Sequence, residues 1–339
     1  MLLQHLFSYS LIVNKKEQKN YELSRKLIEK AGILYDKGEV DEACKLYEQA
    51  FEYFVTYGDI LEYSMIKMEQ GENDRALELI DGIISMEPSD FRGPYFKGVY
   101  YEYQDNDKEA LTHFLKAEEL LNVKEITKDY ATIYFKIGRI YDDLSDKEEE
   151  NKKEYLDKAK EYYLKTLEID ENYYYANLNL GSIYEKENKL DKALRLMLKA
   201  NEVEKDEKMS AYNLGVIYAK KKDYDSAVKY YLEETTKKDF YPYAYYNLGI
   251  IYKDYYKDYN KAKEYYLECL KYLKKDPSLW YNLGCIYVLL NDFTNATDCF
   301  YCAINLKKEI LDYMEDDQEI KTYIINKEYF NLQNKLKCN

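Results

Sequence analysis

One interval governs this sequence. Leu180-Gly181 with Tyr184 and Ala193 returns as Leu214-Gly215 with Tyr218 and Ala227, then Leu248-Gly249 with Tyr252 and Ala262, then Leu283-Gly284 with Tyr287 and Ala296. The glycines step by 34, 34 and 35 residues and the alanines by 34, 35 and 34. Four near-copies at one period mark a repeat array. A unit this short cannot bury its apolar faces alone and must stack on its neighbours. The 339 residues therefore need not be divided into separate globular domains.

Within each copy a second, helical period runs. Ala211, Leu214, Gly215 and Tyr218 fall on one helix face, and Ala227, Val228, Tyr231 and Leu232 on another. Lys221-Lys222-Asp223-Tyr224 breaks the pattern between them. Asp225 is expected to cap the second helix, with Asp41, Asp74, Asp191, Asn260 and Thr294 at the equivalent place in other copies. Gly215 and Ala227 are small where two helices must approach, and Tyr218 and Tyr231 are large enough to fill the gap. Only 4 Pro in the chain leave long helices unbroken. Upstream, Ala43, Ala76 and Ala110 continue the period at 33 and 34.

The expected units are 24–57, 58–90, 91–124, 131–173, 174–207, 208–241, 242–276 and 277–310. Residues 1–23 form an apolar N-terminal segment, and 311–339 a tail that would cap the last unit. In the fourth unit, nine extra residues around 145–154 are expected to form a solvated loop or a helix extension.

The pattern resembles the tetratricopeptide repeat. With Gly181 at the family's position 8, positions 7, 8, 11, 20, 24 and 27 read Leu180, Gly181, Tyr184, Ala193, Met197 and Ala200, and Trp280 takes position 4 in the last unit. The resemblance spans about 24–310, is clearest in units three and five to eight, and is faintest in unit two. It implies an all-α fold: a right-handed superhelical solenoid of about eight antiparallel helix pairs, whose first helices line a concave groove. Family position 5, which faces that groove, reads Tyr95, Phe135, Leu178, Tyr212, Tyr246 and Tyr281 from unit three onward. Position 9 adds Val216, Ile250 and Cys285 in units six to eight. The chaperone-binding subset of the family sets Lys at position 5 and Asn at position 9 in one repeat, and no repeat here carries that pair. Two readings of the aromatic and aliphatic strip stand side by side: a surface for a peptide or helix centred on units six to eight, and simple packing between adjacent first helices. Lys220, Lys253 and Asp254 would flank the strip.

Chemistry-bearing motifs are sparse. The two histidines, His5 and His113, offer little to histidine-based catalysis. Cys299 and Cys302 share a helix face, but no second pair stands near to complete four zinc ligands, so a packing role is expected and no metal or cofactor. No glycine-rich phosphate loop occurs, and no catalytic residue is assigned. A net charge of −14 argues against nucleic acid and against anionic membrane surfaces as partners. No apolar run reaches the length of a membrane span. Six cysteines, mostly within helical patterns, suit free thiols and a cytoplasmic setting. Residues 1–13 resemble the apolar part of a leader, without a basic residue before or a small-residue cleavage site after. The expected function is a non-catalytic scaffold for a protein or peptide partner. The alternatives are a regulator or sensor acting with a separate effector, and an enzyme of unknown type. Partner identity and oligomeric state stay open.

Overall fold

The computed structural model describes residues 15–122, 127–205 and 209–337, and no strand occurs among them. The leader-like stretch 1–13 lies outside the described residues. The chain divides into two compact units, one ending at Glu171 and the other starting at Asn172.

The N-terminal unit holds four helix pairs: α1 (Lys15–Asp36) with α2 (Val40–Phe51), α3 (Tyr57–Glu69) with α4 (Asn73–Met86), α5 (Arg92–Tyr103) with α6 (Asp107–Glu119), and α7 (Lys128–Lys147) with α8 (Lys152–Ile169). The C-terminal unit holds four more: α9 (Tyr174–Lys186) with α10 (Leu190–Val203), α11 (Ser210–Lys220) with α12 (Tyr224–Thr235), α13 (Tyr243–Asp254) with α14 (Tyr259–Leu270), and α15 (Pro277–Leu289) with α16 (Phe293–Leu306). Three short tail helices follow, α17 (Ile310–Met314), α18 (Lys321–Ile324) and α19 (Lys327–Lys337). The extra residues of the fourth pair lengthen both of its helices: α7 has 20 residues and α8 has 18, joined by a 3-10 turn at Glu149–Asn151.

One steric motif builds every pair. A small residue of the first helix sits against a large side chain of the second. A Cβ on Gly215 would lie 2.6 Å from the Tyr231 ring, one on Gly98 2.7 Å from Phe114, and one on Gly284 2.6 Å from Phe300. In the first two pairs the small residue is not glycine. Ala31 and Ser64 are wholly buried there, as are their partners by position, Tyr47 and Ile80. Ser64 satisfies its hydroxyl by donating to the Leu61 carbonyl at 2.7 Å.

The turns between paired helices share a second device. One residue takes positive φ in seven of them: Gly38, Gly71, Asp105, Asn188, Lys222, Lys257 and Asn291. The next amide then reaches back to a carbonyl in the last helical turn, as Asp223 does to Tyr218 at 2.9 Å and Asp292 to Tyr287 at 2.8 Å. The α13–α14 turn is one residue longer, with Asp258 reaching Tyr252 at 2.9 Å. That residue accounts for the single 35-residue step between Ala227 and Ala262.

The expected caps are corrected. Asp225 lies inside α12, and the capping side chain is Asp223, which accepts from the Ser226 amide at 3.2 Å. Likewise Asp258 caps α14 and Asp292 caps α16, two residues before Asn260 and Thr294. Asp41, Asp74 and Asp191 sit in the first turn of their helices. There they favour the positive end of the helix dipole without capping it.

Candidate functional site

The first helices of the C-terminal unit repeat one arrangement. Each position-5 ring leans on a ring from its own second helix. Tyr212 meets Tyr231 at 5.7 Å between centroids, Tyr246 meets Tyr266 at 5.8 Å, and Tyr281 meets Phe300 at 5.4 Å, with interplanar angles of 50–51°. The N-terminal unit repeats it with Tyr95 on Phe114 at 5.6 Å and Phe135 on Tyr163 at 5.9 Å. These rings are therefore packing elements first.

The hydroxyls are held from the next unit along. Asn247 donates to the Tyr212 hydroxyl at 3.3 Å and to the Tyr231 hydroxyl at 3.1 Å. Asn282 donates to the Tyr246 hydroxyl at 2.7 Å. Sequence reasoning passed over these amides, although Asn179, Asn213, Asn247 and Asn282 recur at 34, 34 and 35 residues. A polar residue in step with the repeat was the available signal. Burial raises the pKa of both Tyr212 and Tyr246, keeping them neutral hydrogen-bonding groups.

The candidate strip divides into an open part and a covered part. Tyr212, Val216, Tyr246 and Ile250 are half-buried, as are Leu178 and Tyr95. Phe135 is buried. Tyr281 and Cys285, expected on the open strip, are 8% and 0% exposed. The chain's own tail covers them: both belong to one apolar cluster with Ile310, Met314, Ile320 and Tyr323. Tyr281 donates its hydroxyl to Asp317 of the tail. Burial pushes the Cys285 thiol well up.

Lys253, expected to flank the strip as a free orienting charge, is engaged instead. Its ammonium bonds both oxygens of Glu319 at 2.9 and 3.0 Å and pairs with Asp254 at 3.3 Å. Burial opposes the Lys253 charge most strongly, but the Glu319 bonds together with the charges of Glu319 and Asp254 outweigh it and hold its pKa above the ordinary value. Lys220 pairs with Glu185. Beside the strip, Tyr243 donates to Asp276 at 2.8 Å, and that bond pushes its pKa up to about 12.

The N-terminal unit is more polar on its corresponding helices. Glu102 of α5 receives Lys136 of α7 at 2.7 Å and also Arg139, which bonds Asp143 at 2.7 Å. His113 stacks on Tyr101 at 5.3 Å, and burial lowers its pKa. Cys299 is buried, which pushes its thiol up to about 12 and away from thiolate chemistry. Among the described residues no group of three or more His, Cys, Asp or Glu side chains could hold a metal ion. No described helix is long and apolar enough to cross a membrane.

Tetratricopeptide-repeat sequence profiles match residues 178–245, 242–272 and 277–310. Residues 178–310 carry tetratricopeptide repeats. The described residues fold as the all-α helix-pair solenoid seen in tetratricopeptide-repeat proteins, and such repeats indicate a protein–protein interaction scaffold. Solved structures of tetratricopeptide-repeat type are similar to it. The C-terminal part of a TPR repeat-containing protein from Cytophaga hutchinsonii aligns with a TM-score of 0.57 and 15% identity, over 75% of this chain and 99% of that one. PilF of Pseudomonas aeruginosa aligns with a TM-score of 0.53 and 15% identity, over 74% and 99%. The Cut9–Hcn1 structure of the APC/C aligns with a TM-score of 0.52 and 14% identity, over 88% of this chain and 55% of the other. At these identities the likeness is one of fold. No curated protein matches the sequence.

Proposed function

We propose that this protein is a non-catalytic scaffold that holds a peptide segment or helix of a partner against the first helices of its C-terminal unit. The whole run 24–310 serves as the array, within which repeats six and seven present the surface. The observation that carries this reading is the row Tyr212, Val216, Tyr246 and Ile250. These apolar and aromatic side chains keep an accessible edge on one face of two adjacent helices, α11 and α13. Half-exposed aromatic rings with a polar hydroxyl suit an amphipathic helix or an extended segment with apolar anchors. The buried free thiols at Cys44, Cys269, Cys285 and Cys299 fit a cytoplasmic setting.

The test is capture of partners by Tyr212→Ala with Tyr246→Ala, beside Val216→Lys with Ile250→Lys. The first pair also removes packing against Tyr231 and Tyr266, so each variant needs a thermal melt. Anchor losses on the order of 2 kcal/mol each are expected. If folded forms of both variants capture what the wild type captures, the surface lies elsewhere.

A further inference from the structure

The C-terminal tail imitates a missing ninth repeat. Asn247 reaches Tyr212 across 35 residues, Asn282 reaches Tyr246 across 36, and Asp317 reaches Tyr281 across 36. The tail thus places a carboxylate where the next first helix would place an amide. It also extends further back than a repeat does: Glu319 spans 66 residues to Lys253 on α13, one pair upstream. The 3-10 turn Gln318–Ile320 sits against α15, and Ile320 is wholly buried among its side chains. The segment therefore lies across the first-helix face of the last pair as a ligand would, with two carboxylates on a tyrosine hydroxyl and a lysine, Ile320 as the aliphatic anchor beside them, and Ile310, Met314 and Tyr323 buried in the same cluster.

Its construction differs from that of the repeats. Residues 310–326 hold helices of five, three and four residues, too short for cooperative helix formation. Segments of this kind open at lower free energy than long paired helices. The longer α19 packs on α16 and also touches the segment, Tyr329 lying 5.9 Å from Tyr323 between ring centroids and donating to Glu315 at 2.9 Å, and it tethers the segment when it lets go.

We propose that residues 310–326 form a strap that occupies the binding face of the last pair and yields it, as a local unit, to a partner segment of the strap's own chemistry: two acidic residues followed by an aliphatic one, as in Asp317-Gln318-Glu319-Ile320. The partner's identity rests on the groove reading above; the opening of the strap does not. A tethered occupant competes at high effective concentration, so the strap sets a threshold that weak or non-acidic segments fail to pass.

Two wholly buried thiols report on this. Cys285 lies under the strap, whereas Cys269 lies in α14 away from it. The full chain is alkylated under native conditions and each cysteine is followed by peptide mass mapping. Cys285 is expected to react ahead of Cys269. Asp317→Asn with Glu319→Gln should speed Cys285 by about tenfold or more, because two charge-assisted bonds are weakened, and leave Cys269 unchanged. In the second arm, a labelled peptide of residues 312–322 is titrated against both proteins. It should bind the Asp317→Asn, Glu319→Gln variant about tenfold tighter than wild type, and a peptide with lysine at both acidic positions should bind neither. Alkylation of Cys285 and Cys269 at one common rate would overturn the strap and make the tail a permanent cap. Faster Cys285 reaction without preference for the acidic peptide would overturn the proposed partner chemistry. Intact partner capture by the Tyr212→Ala, Tyr246→Ala variant would sink the groove reading while leaving the alkylation result as it stands.

Discussion

At the scale of single residues, the fold rests on how closely two helices approach. Gly215 faces the ring of Tyr231, which is buried and held by Asn247, so the ring has nowhere to go. Gly181 faces the flexible end of Met197, with the nearest atom at 3.0 Å. Gly215→Ala should therefore destabilise by about 1–3 kcal/mol. Gly181→Ala should fall within about 1 kcal/mol of neutral, because the gain in helix propensity offsets a small shift of Met197. Denaturation midpoints decide the comparison, and equal losses would contradict the contacts described. The turns give a test of opposite sign. Lys222 carries φ of 63°, a conformation that glycine and asparagine tolerate and lysine does not favour. Lys222→Gly should raise stability by about 0.5–1 kcal/mol, whereas Asn188→Gly, at an equivalent turn, should change it little.

These residue-level features explain what the sequence disclosed. Every copy needs the same small residue opposite a large side chain, so glycine, alanine and ring recur at 34 residues and the helix pairs could be read directly. The first two pairs were harder to see because Ala31 and Ser64 replace glycine, although each still stands twelve residues before its alanine, Ala43 and Ala76. The caps were misplaced because Tyr224, Tyr259 and Phe293 stand between the capping aspartate and the rest of the helix. Those apolar residues looked like the end of a turn and are in fact the first helical position. The burial of Tyr281 and Cys285 was not legible at all. It depends on a tail that does not repeat, and no periodic signal reports where a non-repeating segment packs.

At the scale of elements, the tail and the last pair stabilise each other. Tyr323 is wholly buried, lies 5.1 Å from Phe300 between ring centroids, and shares a 2.8 Å hydrogen bond with Thr297 of α16. Tyr323→Ala should remove about 3–5 kcal/mol from the local stability of the α15–α16 pair. Stacked pairs touch only their neighbours, so amide hydrogen exchange should accelerate in α15, α16 and the tail while α9 and α10 keep their protection. Uniform acceleration through the C-terminal unit would show the pairs to be coupled more tightly than a solenoid allows.

At the scale of the whole molecule, two units built from one motif present different surfaces. Glu102, Lys136 and Arg139 join α5 and α7 through ions, while α11 and α13 offer Tyr212, Val216, Tyr246 and Ile250. On the function proposed above, a partner is held on this second surface. The 43 tyrosines of the chain supply a dense set of reporters for it. The most direct measurement is hydroxyl-radical footprinting of the chain alone and with its captured partner, read at individual tyrosines by mass spectrometry. Tyr212, Tyr243 and Tyr246, on the first helices, should become protected, while Tyr230, Tyr265 and Tyr272, on or just after the second helices, should react as before. Protection of the second group with the first unchanged would contradict the proposed function.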